Sequence, residues 1–247
     1  MATGNPFRNR VALVTGASGG IGQALARRLT AEGASVALAY GANAKPAQRL
    51  ADELVTKGGH ALAVGADLRR ADAAAELVAE VEPQLGSVDI LLAAAGLGRQ
   101  QTLEEISVED FDEMLAINLR APFLLAQQTL PGMQARGFGR IMFVSSVAAF
   151  TGGIVGPHYA ASKAGLHGLT HFLAGRVAAD GVTVNAIAPA LITDTGMLPG
   201  EPDELRSRVP VGRLGQPDEV ADLAIAMLRN PYLTNQVVSL DGGMHPR

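Results

Sequence analysis

The sequence predicts a doubly wound α/β domain around a seven-stranded parallel sheet. Three observations point there. Short, continuously apolar runs alternate with longer stretches whose apolar residues recur at helical spacing. Runs such as RVALVT (10–15) and VDILLA (88–93) lack the alternation of a half-solvated strand, so they read as strands covered on both faces. A glycine-rich turn joins the first strand to the first helix, where the right-handed crossovers of such a sheet begin.

Arg10–Thr15 is the first strand and Gly20–Glu32 the first helix, with Ile21, Leu25 and Leu29 near helical spacing and Gly33 as its stop. Ala34–Ala39, Lys45–Lys57, Ala61–Gly65 and Ala71–Gln84 repeat the strand–helix unit, and Val88–Ala93 is strand four. A long helical stretch covers Ser107–Ala135, where Pro122 and Pro131 should kink or bound it. Arg140–Val144, Tyr159–Ala179, Thr183–Ile187, Pro217–Arg229 and Gln236–Leu240 complete the alternation. No composition break divides the chain, so one domain is expected over 1–247. Pro189–Arg213 does not fit the pattern: it holds four prolines, several charges and little periodicity. So long a connection is usually functional, and it lies at the carboxyl edge of the sheet, so 190–213 is expected to act as a substrate lid.

Composition narrows the function classes. The 247 residues carry 20 Lys and Arg against 24 Asp and Glu, a net charge of −4, which argues against a nucleic-acid partner. The absence of Cys removes thiol nucleophiles, thiolate metal sites and disulfides, and suits a reducing, cytoplasmic setting. No apolar run has the length of a membrane span, and Met1–Asn9 lacks the pattern of a secretory signal. His167 and His171 are four apart but have no third ligand nearby in the helix, so no metal site is expected.

Thr15–Gly22 reads TGASGGIG between a strand and a helix. Gly16, Gly20 and Gly22 permit a tight turn and close approach of backbone to a pyrophosphate at the helix N-terminus, as in a Rossmann-type dinucleotide site. The same string contains G-x-S-x-G around Ser18, the turn of a hydrolase nucleophile. That reading needs an acid and then a His downstream, and His167, His171 and His245 are poorly placed for it.

A second motif, YAASK at 159–163, follows past the middle of the chain. With TGASGGIG, AAAG (93–96), INLRAPF around Asn118, SS (145–146), VNAIAP (184–189) and the terminal LDGG, the whole chain resembles the short-chain dehydrogenase/reductase family, and within it the 3-oxoacyl-carrier-protein reductase branch. The resemblance implies a catalytic set of Asn118, Ser146, Tyr159 and Lys163, with Ser146 rather than Ser145 as the serine. It also implies a nicotinamide cofactor held by Gly16, Ser18, Gly20, Ile21, Gly22, Tyr40, Asn43, Asp67, Leu68, Ala95, Gly96, Tyr159, Lys163, Pro189, Ile192 and Thr193.

The chemistry of the set can be read without the family. Tyr159 and Lys163 share a helix face, and an ammonium near a phenol lowers a pKa that is otherwise about 10. A serine hydroxyl at a strand end can donate to developing alkoxide charge. Asn118 is expected to hold a water linking Lys163 to solvent. Reduction is then hydride transfer from the cofactor to a carbonyl carbon, with Tyr159 protonating the oxygen.

No carboxylate stands in Tyr40–Lys45, where NAD enzymes carry one, so NADPH is expected over NADH, with Asn43 or Lys45 toward a 2′-phosphate. The family's N-N-A-G is Ala93–Gly96 here, so weaker bracing of the cofactor site is expected. In P-G-x-x-x-T the Gly is Ala190 and the Thr position is Asp194, leaving Ile192 with Thr193 or Thr195 for the carboxamide. Arg136 matches one basic residue of carrier docking, Asp180 replaces the other, and Arg176 is a nearby substitute. His158 is a candidate cleft residue, and Met197 and Leu198 candidate apolar substrate contacts. The resemblance implies reduction of a 3-oxoacyl thioester of acyl carrier protein or coenzyme A by a homotetramer. Alternatives are a secondary-alcohol or other ketone dehydrogenase and a non-catalytic nucleotide sensor.

Overall fold

A computed structural model describes residues 5–198 and 200–245. Pro199 of the expected lid, and residues 1–4 and 246–247 of the expected domain, lie outside the described residues. Seven strands form one parallel sheet: β1 (Val11–Thr15), β2 (Ser35–Tyr40), β3 (Ala61–Gly65), β4 (Val88–Ala93), β5 (Gly139–Val144), β6 (Val182–Pro189) and β7 (Val237–Leu240). Their order is β3-β2-β1-β4-β5-β6-β7, so the winding direction reverses between β1 and β4. A reversal opens a crevice at the carboxyl ends of the strands.

The helices that link the strands are α1 (Gly20–Ala31), α2 (Ala44–Thr56), α3 (Ala73–Leu85), α4 (Val108–Leu115), α5 (Ala121–Ala135), α6 (Ala148–Thr151), α7 (Pro157–Val177), α8 (Pro202–Arg206) and α9 (Pro217–Arg229). Each sheet face carries its own apolar layer, because alternate residues of the buried strands point opposite ways. Leu25, Leu29, Leu50, Leu92, Met142 and Ile225 belong to one layer, and Leu13, Leu77, Leu91, Leu125, Phe143 and Leu166 to the other.

The long predicted helix is three pieces. Ser107 caps α4 by accepting from Asp110 N, a π-helical turn covers Ala116–Arg120, and α5 follows with Pro122 in its first turn, where a missing N–H is harmless. Pro131 lies inside α5 without ending it. The helix expected from Tyr159 starts earlier, at Pro157, and a turn of 3-10 helix at Ala178–Asp180 follows α7. Short helices α6 and α8, the second within 190–213, were not expected from the sequence. Among the described residues no helix is long and apolar enough to cross a membrane.

Candidate active site

Every element that the sequence marked as functional follows the carboxyl end of a strand. The glycine turn follows β1, Tyr40 ends β2, Asp67 follows β3, Ala95 and Gly96 follow β4, Ser146 follows β5 and Ile192 follows β6.

The turn's glycines permit close packing of backbone on backbone, both within the turn and against the loops after β4 and β6. Gly16 has φ +69°, and a Cβ there would lie 2.8 Å from Ala95 N. A Cβ on Gly22 would meet Gly16 O at 2.3 Å, and one on Gly20 would meet Asp194 O at 2.4 Å. Gly19 differs: an added Cβ finds only Gly16 O, at 3.5 Å. No side chain caps α1 and no acid sits in its first turn, so its free N–H groups and dipole suit a phosphate. Ser18 donates to the carbonyl of Asn43, which fixes the turn against the start of α2.

Beside the turn lies a cleft lined by Gly16, Tyr40, Asp67, Leu68, Ala95 and Gly96. It fits an adenosine group: the wall is mostly backbone and small side chains, with no acid at the end of β2. Asn43 and Lys45 are exposed outside this lining. Asp67 is clamped by Arg69, whose Nε and Nη2 each donate at 2.8 Å, and these bonds hold its carboxyl below the usual range.

The Ala93–Gly96 stretch is braced by a residue the sequence reading missed. Thr15 Oγ1, buried at the end of β1, accepts from Ala94 N at 3.1 Å and Ala95 N at 3.0 Å. No local signal could reveal this, because the partners are 79 and 80 residues apart.

Asn118 sits in the π-helical turn with no solvent exposure. Its Oδ1 accepts from Leu97 N at 2.8 Å, and its Nδ2 donates to Leu97 O at 2.9 Å and to Ser162 Oγ at 3.0 Å. Ser162 in turn donates to Tyr159 O. The side chain is thus spent on tying the loop after β4 to α7.

The two serines have different partners. Ser145 Oγ donates to Lys163 O at 3.0 Å and contacts His167 Nε2 at 2.9 Å, whereas Ser146 Oγ accepts from Ala148 N at 3.2 Å and shares the cavity lining with Tyr159. Burial pushes the Tyr159 phenol up, and the Ser146 bond offsets part of that rise. The lowering expected from Lys163 is corrected: its Nζ lies 5.8 Å from the Tyr159 ring centre and donates to Val144 O at 2.9 Å. Burial brings the Lys163 ammonium down to about 8.

Ser146, Tyr159 and Lys163 share a cavity of about 320 Å³ with Ile21, Gly96, Pro189 and Ile192. Ile154, Val155, Met197, Leu198 and Met244 make its outer wall apolar, and Arg208 stands on its lining. Thr193 is corrected. It is absent from the lining, and its hydroxyl donates to Gln216 Oε1 at 2.9 Å. Asp194, with φ +56°, turns the backbone between the two threonines, and Thr195 lines the cavity instead. His158 is also off the lining, buried with neither ring nitrogen bonded among the described residues, and burial lowers its pKa.

The carrier-docking residues are engaged elsewhere. Arg136 donates to Asp89 Oδ1 at 3.1 Å and Val88 O at 2.8 Å, Asp180 accepts from Gln134, and Arg176 lies over the Phe172 ring.

Comparison with known proteins identifies the family. The family model of short chain dehydrogenases matches residues 10–205. A 3-oxoacyl-[acyl-carrier-protein] reductase of Staphylococcus epidermidis is 33% identical over 242 residues, covering 96% of this chain and 99% of its own. An acetoacetyl-CoA reductase of Allochromatium vinosum is 36% identical over 247 residues, covering 95% and 98%. Among solved structures, a blue fluorescent protein from a metagenomic library in complex with NADPH superposes with a TM-score of 0.91 at 36% identity, covering 98% of this chain and 100% of that one. The chain belongs to the short-chain dehydrogenase/reductase family and is an NAD(P)-dependent oxidoreductase acting on CH–OH and C=O groups.

Proposed function

We propose that the protein reduces a 3-oxoacyl thioester to the 3-hydroxyacyl form with NADPH. The observation that carries this reading is that the Ser146 and Tyr159 hydroxyls line one largely apolar cavity, with the Lys163 ammonium buried beside them on Val144 O. The nicotinamide supplies hydride when bound. The chain's own residues do the rest. Ser146 and Tyr159 donate to the carbonyl oxygen as it gains charge, and Tyr159 gives it the proton. Lys163, positive below about pH 8, lines the same cavity and would hold the nicotinamide ribose. Asn118 acts through Leu97 and Ser162 as a positioning residue.

Several features support the finer assignments. No acid repels a 2′-phosphate at the end of β2, and Asp67 is neutralised by Arg69, which favours NADPH. Gly16, Ser18, Gly20, Ile21 and Gly22 would hold the pyrophosphate. Tyr40, Asp67 and Leu68 would hold the adenosine, and Ala95, Gly96, Pro189, Ile192 and Thr195 the nicotinamide ribose and carboxamide. Arg208 has no hydrogen bond or ion pair to a side chain among the described residues, and suits an anionic thiol carrier. With Arg136 occupied, coenzyme A fits better than a docked carrier protein. The segment 190–213 is the substrate lid of a single domain. Exposed Phe123 and Phe172 on α5 and α7 support a homotetramer, and the lack of Cys a cytoplasmic setting.

The test is oxidation of NADPH and NADH with acetoacetyl-coenzyme A by wild type and Tyr159→Phe. Turnover that favours NADPH and falls by about a thousandfold or more in the variant is expected. Tight NADPH binding with no thioester turnover would overturn the reading.

A further inference from the structure

Gly98 is a glycine for size rather than for backbone freedom, since its φ is not among the positive ones. An added Cβ would lie 2.7 Å from Met197 Cε, 3.7 Å from Tyr159 Cε2 and 3.8 Å from Val155 Cγ1. The loop after β4 is therefore cut away where the tip of Met197 crosses the edge of the Tyr159 ring. Met197 packs on an apolar cluster of Met114, Ala148 and Tyr159, with Leu97 and Val155 at its side. Its backbone is also held: Met197 N donates to Thr195 Oγ1 at 3.4 Å, and Thr195 Oγ1 donates to Ile192 O at 3.1 Å. A flexible, unbranched side chain thus stands across the apolar end of the cavity, fixed at its backbone and seated at its tip.

We propose that Met197, seated by Gly98, is the stop that limits the acyl tail of the substrate to acetoacetyl size. The inference rests on the thioester reading above and adds the length of the chain. The nicotinamide end of the 320 Å³ cavity takes its share of space beside Gly96, Pro189 and Ile192. An acyl tail that leaves the carbonyl at Ser146 for the apolar end then meets the wall on which Met197 stands with Val155 and Leu198. A longer tail has to displace the Met197 thioether from its seat, while the carbonyl still meets Ser146 and Tyr159. Gly98 acts only through Met197 and does not touch substrate.

The test is the ratio of kcat/KM for 3-oxooctanoyl-coenzyme A to that for acetoacetyl-coenzyme A. Wild type should favour the short substrate. Met197→Ala should raise the ratio by about tenfold or more, as pocket space is opened for added methylenes, and Met197→Leu by no more than about threefold. Gly98→Ala should shift the ratio when Met197 is present and leave it unchanged in the Met197→Ala background. A wild-type preference for the long substrate would overturn the proposal, as would a ratio unmoved by Met197→Ala or a Gly98→Ala effect equal in both backgrounds. A wild type that reduces neither thioester yet turns over other ketones overturns the thioester reading itself, a result distinct from an active enzyme with an unmoved ratio.

Discussion

Replacing Thr15 with Val tests whether one hydroxyl braces the cofactor loop. Valine keeps the volume and β-branch, so the sheet end stays packed and only the acceptor is lost. Two N–H groups are affected, unequally. Ala94 N keeps a second acceptor, Leu92 O at 3.1 Å, whereas Thr15 is the one acceptor shown for Ala95 N. An orphaned buried donor costs about 1–3 kcal/mol, and Ala95 is only half-buried, so water recovers part of it. The net loss is about 2 kcal/mol, which for a chain of 247 residues lowers Tm by roughly 4–8 °C. Thr15→Ser keeps the hydroxyl and deletes one methyl, at about 1 kcal/mol. Urea unfolding of the three proteins gives the comparison. NADPH affinity should fall in the valine variant alone, because Gly96 belongs to the same loop. A valine variant as stable as wild type, or a serine variant as unstable as the valine one, refutes the bracing argument.

Three further outcomes follow from the geometry. Lys163 titrates near 8 in the folded chain and at its ordinary, higher value when unfolded, so between these the unfolded state binds more protons and this group's contribution makes stability rise with pH; Lys163→Met should flatten that rise in unfolding curves taken from pH 8 to 9.5, and wild-type reduction should slow above about pH 8. Gly22→Ala forces a Cβ to 2.3 Å from backbone Gly16 O and should cost more than about 3 kcal/mol in chemical unfolding, whereas Gly41→Ala, with nothing within 4 Å, should stay within about 0.5 kcal/mol. Arg136→Ala removes a partner of the buried Asp89, so it should destabilise by about 1–3 kcal/mol while leaving the KM for a carrier-linked substrate within twofold of wild type, measured side by side with the coenzyme A thioester.

The strands were legible because burial on both faces writes itself into composition: VALVT and VDILLA carry only Thr15 and Asp89 as polar residues, and Asp89 is bonded to Val11 N, Arg10 and Arg136. The motif residues were legible where a motif coincides with the end of an element, as at Ser146 after β5 and Tyr159 in the first turn of α7. What stayed hidden depends on apposition across the sheet. The Thr15 brace joins β1 to the loop after β4. The choice between Thr193 and Thr195 turns on the positive φ of Asp194, which a non-glycine residue does not advertise. Arg136 reads as a free surface charge in sequence but lies over the edge of β4. The π-helical turn escaped because apolar spacing runs through it without a break.

That turn has a consequence for how the chain tolerates insertion and deletion. A π turn holds one more residue than an α turn, and one residue corresponds to about 100° of rotation about the helix axis. The surplus residue phases the two halves of the 108–135 helical stretch separately: α4 presents Met114 to the cluster around Tyr159, while α5 presents Leu125 and Met133 to the sheet. Removing a single residue from Ala116–Arg120 would yield a more regular helix and a misaligned protein, with Asn118 carried off Leu97 and Ser162 and one of the two apolar faces turned to water. The least ideal segment of this helix is thus the one whose length is most strictly fixed, and natural or engineered length changes belong in the loops before Val108 and after Ala135.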